Sequence, residues 1–323
     1  MTLVRRYLSF IKFEHTVFAL PFALIALLVA AEGRPAPRTL LWVLVAMVGA
    51  RSAAMAFNRL ADRTLDAANP RTADRHLPAG TVSVAGAAVF TVLAAALLVV
   101  AAWQLNPLCL KLSPVALLVT LGYSYTKRFT ALSHLVLGLG LGIAPVGAWL
   151  AVTGSFAPFP LWLSAAVMFW VAGFDTIYAC QDVDHDRRVG LHSLASRLGT
   201  GRALVLSRVF HVLAIACMAA AFRRAGVLGP VSLVGVLVMA ALLAWEAGTR
   251  ARRRPAAAQP RLLRDQLLGG DGAAGRRAGG SLSGLNRSQM PRKITIPPKR
   301  RGSVCCGRPA LRPAPPRTPR SPA

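Results

Sequence analysis

The sequence predicts an all-α membrane protein, a bundle of transmembrane helices of which eight are recognisable. Three observations predict it. Hydrophobic residues make up 54% of the 323-residue chain and charged residues only 15%, well below the roughly 25% charged content of soluble globular domains. Apolar stretches close to the ~20 residues that cross a bilayer core recur from Thr16 to Trp245. The basic residues between those stretches fall mostly on one side of them, as the positive-inside rule requires.

The first 15 residues, MTLVRRYLSFIKFEH, are basic and amphipathic and lack a small-residue cleavage site, so they read as an interfacial segment rather than a removed signal peptide. The expected spans follow at Thr16–Ala31, Thr39–Phe57, Ser83–Trp103, Leu110–Tyr125, Ser133–Val152, Pro160–Ala179, Ala203–Phe222 and Leu228–Trp245. With the N-terminus in the cytoplasm, thirteen Lys/Arg, among them Arg59, Arg63, Arg71, Arg75, Lys127 and Arg128, lie on the cytoplasmic side. Five lie opposite. Spans two and six each end in an acidic segment, which makes a duplicated four-helix unit plausible.

The formal charge of +26 suggests a nucleic-acid binder until it is located. Residues from Thr249 onward hold 18 of the 38 Lys/Arg and 2 of the 12 Asp/Glu. A nucleic-acid reading would rest on that tail alone, and the tail has no Phe, Trp or Tyr on which bases could stack, so no specific nucleic-acid partner is expected. The five cysteines have no metal-ligand spacing and imply no disulfide framework. The six histidines share no spacing, and none is assigned to a metal.

Acid, in contrast, is concentrated. Seven of the ten acidic residues before Thr249 fall in two short regions. In NRLADRTLDAANPRTADRHLPAG (58–80), Asn58, Asp62 and Asp66 are spaced by four, so they share a helical face if span two continues through them. In DTIYACQDVDHDRRVG (175–190), Asp182 and Asp186 repeat the spacing, preceded by Asp175 and Tyr178. Carboxylates one turn apart repel unless a cation separates them. Mg²⁺ takes oxygen ligands and is commonly held by one or two carboxylates together with substrate phosphates. Arg59, Lys127 and Arg128 supply the further positive charge that a diphosphate needs. Carboxylates relaying ions in a transporter are the rival reading, but that predicts acid in mid-helix, whereas these groups lie at helix ends beside Arg and Lys.

These segments resemble the UbiA family of intramembrane aromatic prenyltransferases. Residues 58–80 are similar to its first Asp-rich motif, and YSYTKRFT (123–130) resembles its Tyr…Lys-Arg segment, with Ser124 where proline is common. Residues 175–194 are similar to its second Asp-rich motif. The resemblance runs from about Glu14 to Trp245 and implies a nine-helix bundle around a central cavity. It also implies transfer of a polyprenyl group from polyprenyl diphosphate to an aromatic acceptor. By the same resemblance Asn58, Asp62 and Asp66 hold one Mg²⁺, and Asp182 and Asp186 the other. Lys127, Arg128 and Arg59 grip the diphosphate, while Tyr123, Asp175 and Tyr178 contribute to the substrate surroundings. FEHTVFALPFAL and GFDTIYACQDV look most like the 4-hydroxybenzoate polyprenyltransferase-like branch serving ubiquinone or menaquinone synthesis. A multi-pass protein of the bacterial inner membrane, with both motifs on the cytoplasmic side, is expected.

The domain organisation is therefore a membrane domain over residues 1–248 and a basic Pro/Arg/Gly-rich tail over 249–323, whose composition cannot bury a core. The tail stands where the family places its last helix. Codons for TRARRRP and DQLLGGDGAAG can be chosen so that a one-base shift reads as an acidic loop and an apolar helix. The tail is thus a candidate frameshift product beginning near Glu246–Gly248.

Overall fold

A computed structural model describes residues 3–12, 19–227 and 229–252. The chain divides into two units, Met1–Gln259 and Pro260–Ala323, and every described residue lies in the first. The tail from residue 253 on, with the expectations placed on it, lies outside the described residues.

The described residues form helices and connecting turns, with no strand among them. In order these are α1 (Leu3–Phe10), α2 (Leu20–Ala30), α3 (Pro37–Ala61), α4 (Arg63–Ala68), α5 (Val84–Leu105) and α6 (Pro107–Thr126). They continue with α7 (Ser133–Thr153), α8 (Pro158–Ala179), α9 (Val183–Val189), α10 (Leu194–Leu198), α11 (Thr200–Arg224) and α12 (Pro230–Arg252). Six of them, α3, α5, α6, α7, α8 and α11, are long and apolar enough to cross a membrane. The chain is a multi-pass membrane protein.

The other two expected spans correspond to shorter apolar helices. α2 has 11 residues, with Ala19 before it and Pro21 in its first turn, and the chain turns after it at Glu32 and Gly33, both at positive φ. In α12 the apolar part covers Ser232–Leu243, beyond which the helix runs into Glu246, Arg250 and Arg252.

Local chemistry sets the helix ends. Ser83 caps α5 by accepting from the Gly86 amide at 3.0 Å. Asn106 caps α6 by accepting from Cys109 N–H at 2.9 Å, and its amide also donates to Leu150 O at 2.7 Å, tying α6 to the far end of α7. That cap starts α6 three residues earlier than the apolar run alone predicts. Gly154 closes α7 in the left-handed region at φ 64°.

Close backbone approach brings the spans together. α3 packs on α5, α7 on α8 and α8 on α11, with α6 between α5 and α7. A Cβ on Gly138 would collide with Met168 O, and one on Gly173 with the His211 ring. Phe22, Leu27, Leu163, Val167, Met218 and Phe222 fill the main core between α2, α8 and α11. A smaller cluster docks α1 through Phe10 against Ala56, Val82 and Ala87, behind the end of α3. Leu3 and Val4 remain exposed beside Arg5 and Arg6, as in a helix lying in a membrane interface.

Candidate active site

The two acidic segments share a plan, a long helix followed by a short one with an Asp at the junction. α3 ends at Ala61, Asp62 stands at φ −96°, ψ 4°, and α4 then carries Asp66. α8 ends at Ala179, Asp182 stands at φ −110°, ψ 10°, and α9 carries Asp186. α3 therefore breaks at Asp62 alone and α8 over Cys180–Asp182, and each restarts as a short helix bearing a second Asp four residues after the first. The expected single continuous face is interrupted in both places. The break is small, because Asp62 N still reaches Asn58 O at 2.9 Å, and Asp66 N reaches Asp62 O at 2.7 Å. Asp186 N bonds Asp182 O likewise, at 2.8 Å.

Each of three carboxylates holds a cation from elsewhere in the chain. Asp62, 2% exposed, takes Lys127 Nζ on Oδ2 at 2.6 Å and Asn58 Nδ2 at 3.2 Å. Arg128 lies 3.7 Å from its Oδ1 and donates to Ala61 O. Asp66 takes Arg75 at 2.7 Å, with Arg59 3.9 Å from its other oxygen. Asp182 receives Arg71 through Nε at 2.8 Å and a terminal nitrogen at 2.5 Å, a two-point grip, together with Asn69 Nδ2 at 3.3 Å. Arg71 and Asn69 belong to the first acidic segment, so the two segments are joined directly.

The second pair of carboxylates is electrostatically uneven. Burial pushes the Asp182 carboxyl up, but the bonds from Arg71 and Asn69 outweigh it and hold the group below the ordinary range. Burial raises Asp186, and neighbouring Asp182 adds to the rise against a hydrogen bond from Ser193.

No group of three or more His, Cys, Asp or Glu side chains able to hold a metal occurs among the described residues. The donor set nevertheless fits Mg²⁺. It consists of hard oxygens, two of which, Asp62 Oδ1 and Asp66 Oδ2, are buried without a hydrogen-bond partner.

Beneath this layer lies a cavity of about 410 Å³, lined mainly by aliphatic side chains of α3, α5, α6 and α7. Leu105, Cys109 and Phe156 line it towards the opposite membrane face, and Arg51 and Tyr123 line it towards the carboxylates. Tyr123 precedes Lys127 by one helical turn and Arg51 precedes Asn58 by two, so both lie under the polar layer. Arg51 Nε is buried without a hydrogen-bond partner. Arg51 stands alone in an apolar run and belongs to no motif legible in the sequence.

The remaining expected site residues divide. Asp175 is close enough to Tyr123 to act on it electrostatically and pairs with His134 at 2.7 Å. Tyr178 is 60% exposed and stands apart from the hydrogen-bonded cluster. His134, buried at 3%, likewise belongs to no motif legible in the sequence.

Comparison with known proteins identifies the family. A model of the UbiA prenyltransferase family matches residues 19–267. The 4-hydroxybenzoate octaprenyltransferase of Shewanella amazonensis is 35% identical over 61% of this chain and 68% of its own. That of Vibrio cholerae is 33% identical over 68% and 77% respectively. Among solved structures, a UbiA homologue from Aeropyrum pernix superposes with a TM-score of 0.70 at 36% identity, covering 75% of this chain and 90% of that one. A homologue from Archaeoglobus fulgidus bound to GPP and Mg²⁺ has a TM-score of 0.62 at 18% identity, covering 78% and 89%, and shares the fold.

Proposed function

The chain belongs to the UbiA prenyltransferase family, and on that premise we propose that it transfers a polyprenyl group from its diphosphate to 4-hydroxybenzoate, in ubiquinone synthesis. The observation that carries this reading is the placement of a cationic and tyrosyl group, Arg51 and Tyr123, where an aliphatic cavity meets a carboxylate layer. The isoprenoid tail takes the cavity, the diphosphate the polar layer, and the ring the boundary between them.

Asn58, Asp62 and Asp66 would hold one Mg²⁺, and Asp182 and Asp186 a second. When bound, Mg²⁺ neutralises charge that develops on the departing diphosphate. Lys127, Arg128 and Arg59 bind the diphosphate oxygens and are already held at the carboxylates by ion pairs. As the allylic C–O bond breaks, its electron pair leaves with the diphosphate. A ring carbon of the acceptor then forms the new C–C bond, and the ring sheds a proton to regain aromaticity. The aliphatic walls exclude the water that would otherwise quench the allylic cation.

Arg51 meets the acceptor carboxylate. A carboxylate entering so apolar a cavity needs a paired cation, and a guanidinium with an unsatisfied Nε supplies one. Tyr123 and Asp175 flank the ring on the other side. Both acidic segments face the cytoplasm across the bacterial inner membrane, where a soluble acceptor reaches them.

Membranes containing the protein, supplied with polyprenyl diphosphate, Mg²⁺ and a panel of phenols, test the reading. Transfer to 4-hydroxybenzoate that disappears in Asp62→Ala and in Asp182→Ala is expected. Transfer that survives either substitution, or that needs no divalent metal, contradicts it.

A further inference from the structure

The hydrogen bonds around His134 form a chain that the reaction scheme above leaves unused. His134 is the second residue of α7, and its side chain is 4% exposed. Its Nδ1 lies 2.7 Å from Asp175 Oδ2 on α8. Its Nε2 accepts the backbone N–H of Leu194, the first residue of α10, at 3.3 Å. A backbone amide only donates, so Nε2 carries no proton, and the imidazole places its one hydrogen on Nδ1. His134 is thereby a donor to Asp175, in a single tautomer fixed by a main-chain group.

The residues around Leu194 are themselves held. Leu194 packs with Ala172 and Phe210. Ser193 and Ser196 form a reciprocal cap at the start of α10, with bonds of 2.9 and 3.0 Å. The adjoining His192 amide donates to Lys127 O at 2.7 Å, and Ser193 bonds Asp186. The segment that fixes the tautomer of His134 therefore also touches Lys127 and Asp186. Asp175 is 36% exposed through its side chain, so one oxygen is anchored by His134 while the group stays open to solvent or substrate.

We propose that His134 is a positioning residue, which aims Asp175 at the acceptor through Nδ1–H and keeps it in register with the Lys127 and Asp186 layer through Leu194. This rests on the prenyltransferase reading of the site. A side chain that replaces His134 must offer one donor and one acceptor. Glutamine does so with its amide, whereas methionine fills similar space with neither.

The full chain carries the test. ¹⁵N-histidine labelling in detergent, with the His134 signal assigned by its loss in His134→Gln, should show a neutral ring protonated on Nδ1. An Nε2-protonated ring or an imidazolium overturns the proposal. In kinetics, His134→Met should lower kcat/KM for the acceptor by roughly 10-fold or more, as expected for losing a hydrogen bond to a charged group. The KM for polyprenyl diphosphate should stay within about threefold, and His134→Gln should recover most of the loss. In an Asp175→Asn background, His134→Met should add no further loss. A His134→Gln enzyme as impaired as His134→Met, or additive losses in the double variant, overturns it. If His134→Met fails to reach the membrane, the tautomer and the His134→Gln kinetics decide. The tautomer is read without substrate, so a wild-type chain that transfers no prenyl group refutes the function and leaves this inference to the nitrogen shifts.

Discussion

Arg51→Met separates acceptor recognition from the rest of the reaction. The guanidinium lines the cavity beside Tyr123, with Nε buried and unbonded. On the proposed reading its partner is the acceptor carboxylate, and methionine keeps the length and apolar stem while deleting the charge. A hydrogen bond to a charged group is worth about 1.5–3 kcal/mol, and every 1.4 kcal/mol is tenfold. The KM for 4-hydroxybenzoate should therefore rise roughly 10- to 150-fold. 4-Hydroxybenzyl alcohol has the same ring without the carboxylate, and its kcat/KM should change by less than about threefold. Steady-state assays in membranes with both acceptors measure the difference. Stability should hold or rise, since leaving a buried polar atom unsatisfied costs about 1–3 kcal/mol. Equal losses on both acceptors, or no loss on either, would refute the assignment of Arg51 to the carboxylate.

Three other expectations follow from the same geometry. Gly138→Ala should lower the melting temperature of the detergent-solubilised protein, because the new methyl meets Met168 O in the α7–α8 contact; a cost of about 1–3 kcal/mol is typical of overpacking, and an unchanged melt would contradict the close approach. Arg71→Gln removes the cation that depresses Asp182; since the native carboxyl sits below its unfolded value, the stability lost is fully present above about pH 4 and fades as pH falls through the native value, with a size of roughly 1 kcal/mol or less given that Arg71 is 52% exposed. In the coding DNA, a single-base change near the codons for Glu246–Gly248 should restore an apolar span; if no such change does, the basic tail is the intended product.

What the sequence made legible was whatever repeats or is long. Apolar runs of bilayer length located six spans to within four residues, because in a membrane apolarity and helicity are demanded together. The Asp spacing and its neighbouring cations were legible for the same reason, as paired features that chance seldom produces. The breaks at Asp62 and over Cys180–Asp182 were not, since the two Asp of each segment keep the i to i+4 spacing that marks a continuous helix. Arg51 and His134 were missed because each is a single residue whose significance lies in what the fold brings to it. For Arg51 that is an aliphatic cavity, and for His134 an amide 60 residues away. Tyr178 was included by its place in a motif, yet the helix turns it outward, to 60% exposure.

The most direct test of the account is mass spectrometry of the product. Membranes holding the protein should convert 4-hydroxybenzoate and a polyprenyl diphosphate, in the presence of Mg²⁺, into the acceptor carrying one polyprenyl group on a ring carbon, with release of diphosphate and none of the product after chelation. A product prenylated on oxygen, a product formed equally well after chelation, or hydrolysis to the free prenyl alcohol alone would contradict it.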